Sequence, residues 1–481
     1  MKNKELDILY LQILLKSKMY SNFDICSYLS NLPCTITEID ISNKKLYFIP
    51  DLSRFTNLKV LNCADNMLTY LPELNPELTH LNCSYNYLHS LPSLNEELVI
   101  LNCSYNTELT CLPPLNDKLK RLLCSDNQLN VLPPLKNLEY LHCPRNCLKK
   151  LPELPETLNY LDCSNNKLSY FPCDKFHEKL KKLYCTINKI KHLPSLNDDL
   201  EILYCSRNKL VSLPVLNTKL RIIECDYNNL TSIPNFNIEL EYMVCSYNKL
   251  TTLPNLNHQL IHLNCSHNKL KELPMLNDLL QILKCNFNHV TKLPSLNPWL
   301  KSLECYNNRL NFLPKLNIHL VYLYCNKNTL KQLPELNDNL EDLNCMNNEI
   351  CDLPLINNKL KSFIFSKNPI FTILFENSIN PHHHRYFYYS QSQENFDDFE
   401  EYVNFLSQYN NCIELLRTKV LILHKFKTLF YSLKYKTKLR DFLWEKIRRP
   451  KIEAKYHPSN LQKVMNEFSE EDDLTELLEN W

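Results

Sequence analysis

The chain has 481 residues, of which 22 are cysteine and none is glycine, and its formal net charge at pH 7 is +1. A near-neutral chain with 44% hydrophobic residues is typical of a soluble globular protein and has no overall electrostatic attraction to nucleic acid or membranes. The absence of glycine excludes the glycine-based phosphate loops and nucleophile turns of many enzymes. No stretch reaches the roughly 18 apolar residues of a membrane-spanning helix.

The first 35 residues carry apolar side chains at helical spacing. These are Leu6, Leu9, Tyr10, Ile13 and Leu14. A signal peptide is the competing interpretation, but Asp7 and Gln12 interrupt the apolar run and no small-residue cleavage site follows. We therefore predict that residues 1–35 form a helical cap, since the segment is short for an adaptor-binding motif such as an F-box.

A phrase of 20 residues, L-x-x-L-x-C-x-x-N-x-L-x-x-L-P-x-L-N-x-x, then recurs from Ile36 to a last partial copy at Leu360. A fixed period in this range is typical of a solenoid. We number the positions of each copy from 0 at its first leucine. Alternation at positions 2 to 6 predicts one short strand per copy, with positions 3 and 5 inward and positions 2 and 4 outward. Stacked copies would form a parallel sheet over residues 36–375.

Asparagine occupies position 8 in sixteen copies, where its amide could bond the backbone of neighbouring coils as a structural ladder. Ladder positions are Asn86, Asn166, Asn208, Asn248, Asn268 and Asn308. Proline at position 14 favours an extended, polyproline-like back over a helix. Asparagine at position 17, as in Asn75 and Asn197, is expected to supply the left-handed turns in a chain without glycine.

These residues resemble the leucine-rich repeat family in its short form. The resemblance implies an α/β solenoid with a parallel sheet on its concave face, an N-terminal helical cap and a small C-terminal helical domain. The repeats are most similar to those of leucine-rich repeat proteins of giant amoeba-infecting DNA viruses and, more distantly, of bacterial effectors. The phrase LWEKIRRPKIEAKYHPSNLQ near the C terminus also resembles segments of giant-virus proteins. Cysteine at position 5, where the family has Leu, Val or Ala, is the main departure.

Fifteen of the cysteines occupy position 5 of successive copies. We expect a buried file that includes Cys83, Cys163, Cys205, Cys245, Cys265 and Cys305. Parallel Cβ vectors fit disulfide geometry poorly, and a straight file does not offer the tetrahedral ligands of Zn²⁺. The sequence therefore predicts small apolar fillers, no metal and no cofactor. Reduced thiols indicate an intracellular protein, which the viral resemblance places in the cytoplasm of a host cell.

Outward positions 2 and 4, together with position 7 at the end of the strand, define the concave face. Tyrosine and arginine, residue types enriched at interface hot spots, are frequent there. We predict a protein partner, from a host cell, that contacts Tyr140, Tyr160, Tyr184, Tyr204, Arg207, Tyr227, Tyr242, Tyr247, Phe287, Tyr322 and Tyr324. The alternative is that these aromatic side chains only stack along the sheet.

After the repeat, residues 376–399 are predicted to be a linker and residues 400–481 a helical region. Residues 411–460 carry thirteen Lys or Arg and four Asp or Glu, so binding of nucleic acid or an anionic surface is the alternative function.

Related bacterial effectors carry a ubiquitin-ligase domain with a Cys-x-Asp motif. Cys412 is instead followed by Ile413 and Glu414, so a substrate-recognition role in such a system is less favoured. We predict a non-enzymatic interaction scaffold.

Overall fold

The computed structural model describes residues 23–371, 416–425 and 427–436. It divides the chain into two units, residues 1–396 and 397–481. The first unit contains helix α1 (Ile25–Ser30), whose first turn is capped by the Asp24 carboxylate accepting hydrogen bonds from the backbone N–H groups of Cys26 and Ser27. Residues 1–22 of the predicted cap lie outside the described residues.

Within the described residues, seventeen strands of three residues each follow α1. In chain order they are β1 (Glu38–Asp40), β2 (Val60–Asn62), β3 (His80–Asn82), β4 (Ile100–Asn102), β5 (Arg121–Leu123), β6 (Tyr140–His142), β7 (Tyr160–Asp162), β8 (Lys182–Tyr184), β9 (Ile202–Tyr204), β10 (Ile222–Glu224), β11 (Tyr242–Val244), β12 (His262–Asn264), β13 (Ile282–Lys284), β14 (Ser302–Glu304), β15 (Tyr322–Tyr324), β16 (Asp342–Asn344) and β17 (Ser362–Ile364).

Each strand pairs in parallel with the next strand of the chain, and equal repeat positions lie side by side. Leu183, for example, is opposite Leu203, and Tyr184 is opposite Tyr204. Residues 41–361 are all described, and the connections between their strands contain turns and extended segments without a helix. The predicted class, a solenoid with one parallel sheet and an extended back, is confirmed.

The interior of each coil is filled by apolar residues from the strand and from the return segment. In one coil, Leu200, Leu203, Cys205 and Leu210 are all 0% exposed. The position-5 cysteines are buried and free, and burial raises the pKa of the Cys265 thiol to about 12. Its Sγ lies 3.5 Å from the backbone oxygen of Lys284 in the next coil. The thiols therefore act as small apolar groups inside the coil.

The position-8 asparagines bond the backbone of their own coil and of the preceding one. Asn208 Nδ2 lies 2.9 Å from the backbone oxygen of Cys185 and 3.1 Å from that of Cys205. Its Oδ1 accepts a hydrogen bond of 3.0 Å from the backbone N–H of Ile190. One buried amide thus satisfies carbonyl and N–H groups that the narrow turn leaves unpaired.

Seventeen of the nineteen left-handed residues in the described part of the chain lie at position 7; the other two are Lys45 at position 9 and Lys136 at position 17. No position-17 asparagine is left-handed, so the expectation that asparagine at this position supplies the turns is wrong. At position 7, Tyr227 and Phe287, for example, have φ values of 52° and 51°. The chain must reverse between the end of the strand and the ladder asparagine, and this reversal requires the left-handed residue. Asn217, at position 17, instead donates to the backbone oxygen of Leu200 in the preceding coil at 2.8 Å. The position-17 asparagines thus form a second row of hydrogen bonds between successive coils.

Different side chains cover the two ends of the stack. At the first coil, the Arg54 guanidinium donates to the backbone oxygen of Leu29 in α1 at 3.0 Å. In the last coil, the ring centroids of Phe363 and Phe365 are 4.9 Å apart, and Phe371 packs 5.4 Å from Phe365. Large aromatic side chains therefore fill the core of the last coil that the structure describes.

The second unit is described over residues 416–425 and 427–436, which are helical. Leu416 and Val420 are buried, whereas Phe430, Tyr431 and Tyr435 are more than half exposed. The predicted linker lies outside the described residues. In the described part of the chain, no helix combines the length and the hydropathy that crossing a membrane requires.

Replacing Asn208 with alanine should lower the free energy of unfolding by about 2 to 4 kcal/mol, because it leaves buried carbonyl and N–H groups unpaired in two coils. Urea unfolding of the full chain, followed by circular dichroism, measures this loss. The matched control is Asn255→Ala on the exposed back, which should cost less than about 0.5 kcal/mol. Equal losses for the two variants would contradict the ladder.

Candidate protein-binding surface

A cluster of four tyrosines, the tyrosine cluster, spans β6 to β9 on the concave face. Tyr140 and Tyr160 stack with centroids 4.1 Å apart, and Tyr160 contacts Tyr184 at 5.4 Å. Tyr184 and Tyr204 meet edge to face at 5.1 Å. The Arg121 guanidinium lies 4.7 Å from the Tyr140 ring and closes one end. The structure therefore brings four of the predicted binding residues into one continuous surface.

A second set of planar side chains, the ring row, lies along the ends of the strands. Arg207 lies 4.5 Å over Tyr227, Tyr227 stacks on Tyr247 at 4.0 Å, Tyr247 stacks on His267 at 3.9 Å and His267 stacks on Phe287 at 4.0 Å. All five residues occupy position 7 and have left-handed backbone angles. The shared backbone conformation projects each ring at the same angle, one strand spacing apart, and this produces the stack.

The four rings of the ring row line a shallow, open groove of about 600 Å³, together with ladder asparagines and Asn229. Because the ring faces are used against one another, the ring edges and polar tips remain for a ligand. Tyr227 and Tyr247 are both 40% exposed, so stacking does not remove them from solvent.

The centre of the concave face combines aromatic and charged groups. Tyr242 stacks on His262 at 4.3 Å, and burial, with a further contribution from the Lys284 charge, lowers the pKa of His262 to about 4. Lys284 Nζ pairs with Glu304 at 2.8 Å. Of the two predicted tyrosines on β15, Tyr322 is exposed.

The other predicted tyrosine on β15 is held by a neighbouring carboxylate. The Tyr324 hydroxyl donates to Asp342 Oδ2 at 2.8 Å. Burial and the hydrogen-bonded Asp342 carboxylate both raise the pKa of Tyr324. These two tyrosines lie three strands beyond His262 and join neither the tyrosine cluster nor the ring row.

Several stacked rings were not predicted from the sequence. Tyr85 and Tyr105 stack at 4.1 Å, and their occupancy of position 7 was a signal that could have identified them. Tyr306, at position 6, extends the ring row by an edge contact of 5.4 Å with Phe287. Trp299 and His319 stack at 4.7 Å on the loops that enter the strands, outside the concave face.

The described residues contain no group of three or more His, Cys, Asp or Glu side chains arranged to hold a metal ion. His382, His383 and His384 and Cys412 lie outside the described residues. The arrangement that the structure does show is a long polar and aromatic surface on a stack of identical coils. This geometry defines a solenoid of the kind that presents extended surfaces to macromolecules.

Comparison with solved structures identifies the family. The chain is similar to YopM from Yersinia enterocolitica WA-314, with 34% identity, a TM-score of 0.68 and coverage of 69% of this chain and 74% of YopM. A leucine-rich effector protein, YopM from Yersinia pestis, is 32% identical over 69% of this chain and 88% of its own, with a TM-score of 0.54. A leucine-rich repeat protein of Leptospira interrogans is 25% identical over 72% and 93% of the two chains, with a TM-score of 0.55.

The chain therefore belongs to the leucine-rich repeat family. No protein-family model and no curated protein matches it. Solenoids of this family are in general interaction modules without catalytic activity.

Replacing His262 with glutamine should reduce the acid sensitivity of the fold. Between the ordinary histidine pKa of about 6.5 and the folded value, the unfolded chain binds a proton that the folded chain does not, so falling pH destabilises the protein. Melting temperatures at about pH 7 and about pH 5 should therefore differ less for His262→Gln than for the wild type. The exposed His289→Gln serves as control, and an unchanged pH dependence in His262→Gln would contradict the assignment.

Proposed function

We propose that the protein is a non-enzymatic scaffold that binds a protein partner through the concave face. The observation that supports this proposal is that aromatic side chains lie along the concave face from β6 to β14 in three contacting groups, which stay partly exposed although their members stack. The groups are the tyrosine cluster, the Tyr242–His262 pair and the ring row. Nine strands at about 4.8 Å give a surface of roughly 40 Å, which fits a polypeptide better than a small molecule.

The chemistry of this surface favours a protein ligand. Tyrosine offers a large apolar area with a polar tip. Because stacking already restricts the side-chain torsions in the free protein, less conformational entropy is lost on binding. The charged groups are interleaved with the rings and not gathered into one basic stripe, which argues against a nucleic-acid backbone as the ligand of this face. Tyr140, Tyr160, Tyr184, Tyr204, Arg207, Tyr227, Tyr242, Tyr247, Phe287, Tyr322 and Tyr324 are the proposed contact residues.

We further propose that the protein acts inside a host cell and that its partner is a host protein. Similarity to the Yersinia effector structures supports this placement. The predicted resemblance to giant-virus proteins, the binding of nucleic acid or anionic surfaces by the basic region and the ubiquitin-ligase role stay predictions, and no observation on the described residues favours them over the concave face.

Replacing Tyr184, Tyr204 and Tyr242 together with alanine should abolish capture of the partner. Each hot-spot tyrosine contributes at least about 2 kcal/mol to such an interface. Quantitative mass spectrometry after affinity purification from host cells, with the wild-type and variant full chains as baits, measures the change for every captured protein.

The matched control replaces Tyr87, Tyr170 and Phe312, which are exposed by 52%, 54% and 41% and lie outside the concave face. A specific partner should be retained by the control and lost by the concave-face variant. Retention of every captured protein by both variants would contradict binding through this face.

A further inference from the structure

One partly buried carboxylate on the concave face differs from the other partly buried ones there in having no partner among the described residues. Acidic side chains on β7, β14 and β16 and in the turn after β5 each lie beside a group that can neutralise or bond them. These pairs are Asp162 with His142 at 3.3 Å, Glu304 with Lys284 at 2.8 Å, Asp342 with Tyr324 at 2.8 Å and Asp126 with Arg145 at 3.2 Å. The carboxylate of Glu224, at the end of β10, has no ion-pair or hydrogen-bond partner within the part of the chain that the structure describes.

Aromatic side chains flank Glu224 on the sheet. Tyr204 is its direct neighbour on β9, and Val244 is its neighbour on β11. Tyr242, at the start of β11, lies diagonally across, close enough for the Glu224 charge to raise the pKa of both tyrosines after the effect of their burial. The carboxylate is thus half-buried between two tyrosine rings. These rings exclude part of its water and provide no cation or hydrogen-bond donor in exchange.

A neighbouring negative charge makes the ionised form of Glu224 still less favourable. Asp226 lies two residues further along on the same face, and its carboxylate accepts a hydrogen bond from the Ser206 hydroxyl. Burial, followed by the charge of Asp226, raises the pKa of Glu224. A carboxylate in this position is stabilised by any cation that reaches it.

Three basic residues of the surrounding coils are engaged elsewhere. The Arg207 guanidinium stacks on Tyr227, and Arg221 forms a two-pronged pair with Glu241, with Nη2 2.8 Å from Oε1 and 3.0 Å from Oε2. Lys284 is held by Glu304. None of these three side chains pairs with Glu224, so we expect the cation that neutralises it to come from outside the chain.

We propose that Glu224, with the rings of Tyr204 and Tyr242 as walls, is a subsite for an arginine side chain of a basic, extended segment in the partner. A guanidinium group can bond a carboxylate with two N–H groups while its flat faces contact aromatic rings, so it fits both features of the subsite. The inference rests on the proposed function of the concave face and specifies the chemistry of its partner.

The test uses the full chain and a synthetic probe, a fluorescein-labelled peptide with three arginines separated by pairs of serines, titrated by fluorescence anisotropy. Glu224→Gln keeps the shape of the side chain and removes its charge, and should weaken binding roughly tenfold. The control Glu335→Gln removes the same charge from the exposed back of the solenoid and should change affinity less than about twofold. A peptide in which citrulline replaces arginine should bind the wild type and Glu224→Gln equally weakly.

The subsite is wrong if Glu224→Gln binds the arginine peptide as tightly as the wild type, if Glu335→Gln loses as much affinity, or if citrulline is tolerated. The two proposals fail separately. A triple tyrosine variant that loses a host protein, combined with an inert Glu224→Gln, leaves the concave-face function intact and removes the arginine subsite. Equal melting temperatures of Glu224→Gln and the wild type show that any loss is not due to unfolding.

Discussion

The hydrogen bonds of the position-8 asparagines are the constraint on which the rest of the structure depends. Each described ladder amide, as in Asn208, joins carbonyl groups of two successive coils and accepts an N–H from the first of them. A chain with no glycine must place a bulky residue in the left-handed conformation just before this asparagine, which is unfavourable by about 1–2 kcal/mol per residue. The ladder bonds, together with the parallel strand bonds, hold that conformation in every coil.

The same constraint produces both surfaces of the strand. The ladder engages the carbonyl groups of the position-5 cysteines, so each of these thiols is held inside the coil while its backbone faces the turn. On the other side, a fixed turn gives every position-7 side chain one direction. Planar groups at successive coils then lie 3.9 to 4.0 Å apart and stack. Burial of the thiols and exposure of the ring row are consequences of one local geometry.

Periodicity was sufficient to predict the solenoid, the strand positions and the extended back, because a repeated phrase leaves one way to bury its leucines. The turn chemistry was not predicted correctly, since asparagine tolerates left-handed angles and its use at position 17 for cross-coil bonds cannot be read from its identity. The sequence also did not predict which charged side chains pair with one another. Lys284 bonds Glu304, whereas Arg207 turns onto Tyr227 and leaves Glu224 alone, and these choices depend on side-chain directions across several coils.

Site-resolved alkylation of the thiols tests the central claim most directly. The folded full chain is treated with iodoacetamide at about pH 8, near the ordinary thiol pKa, and each cysteine is followed by mass spectrometry. Exposed cysteines such as Cys34, Cys111 and Cys351 should react, while Cys205, Cys245 and Cys265 in the file stay unmodified until the protein is unfolded. Reaction of the file cysteines at the rate of the exposed ones would contradict the account.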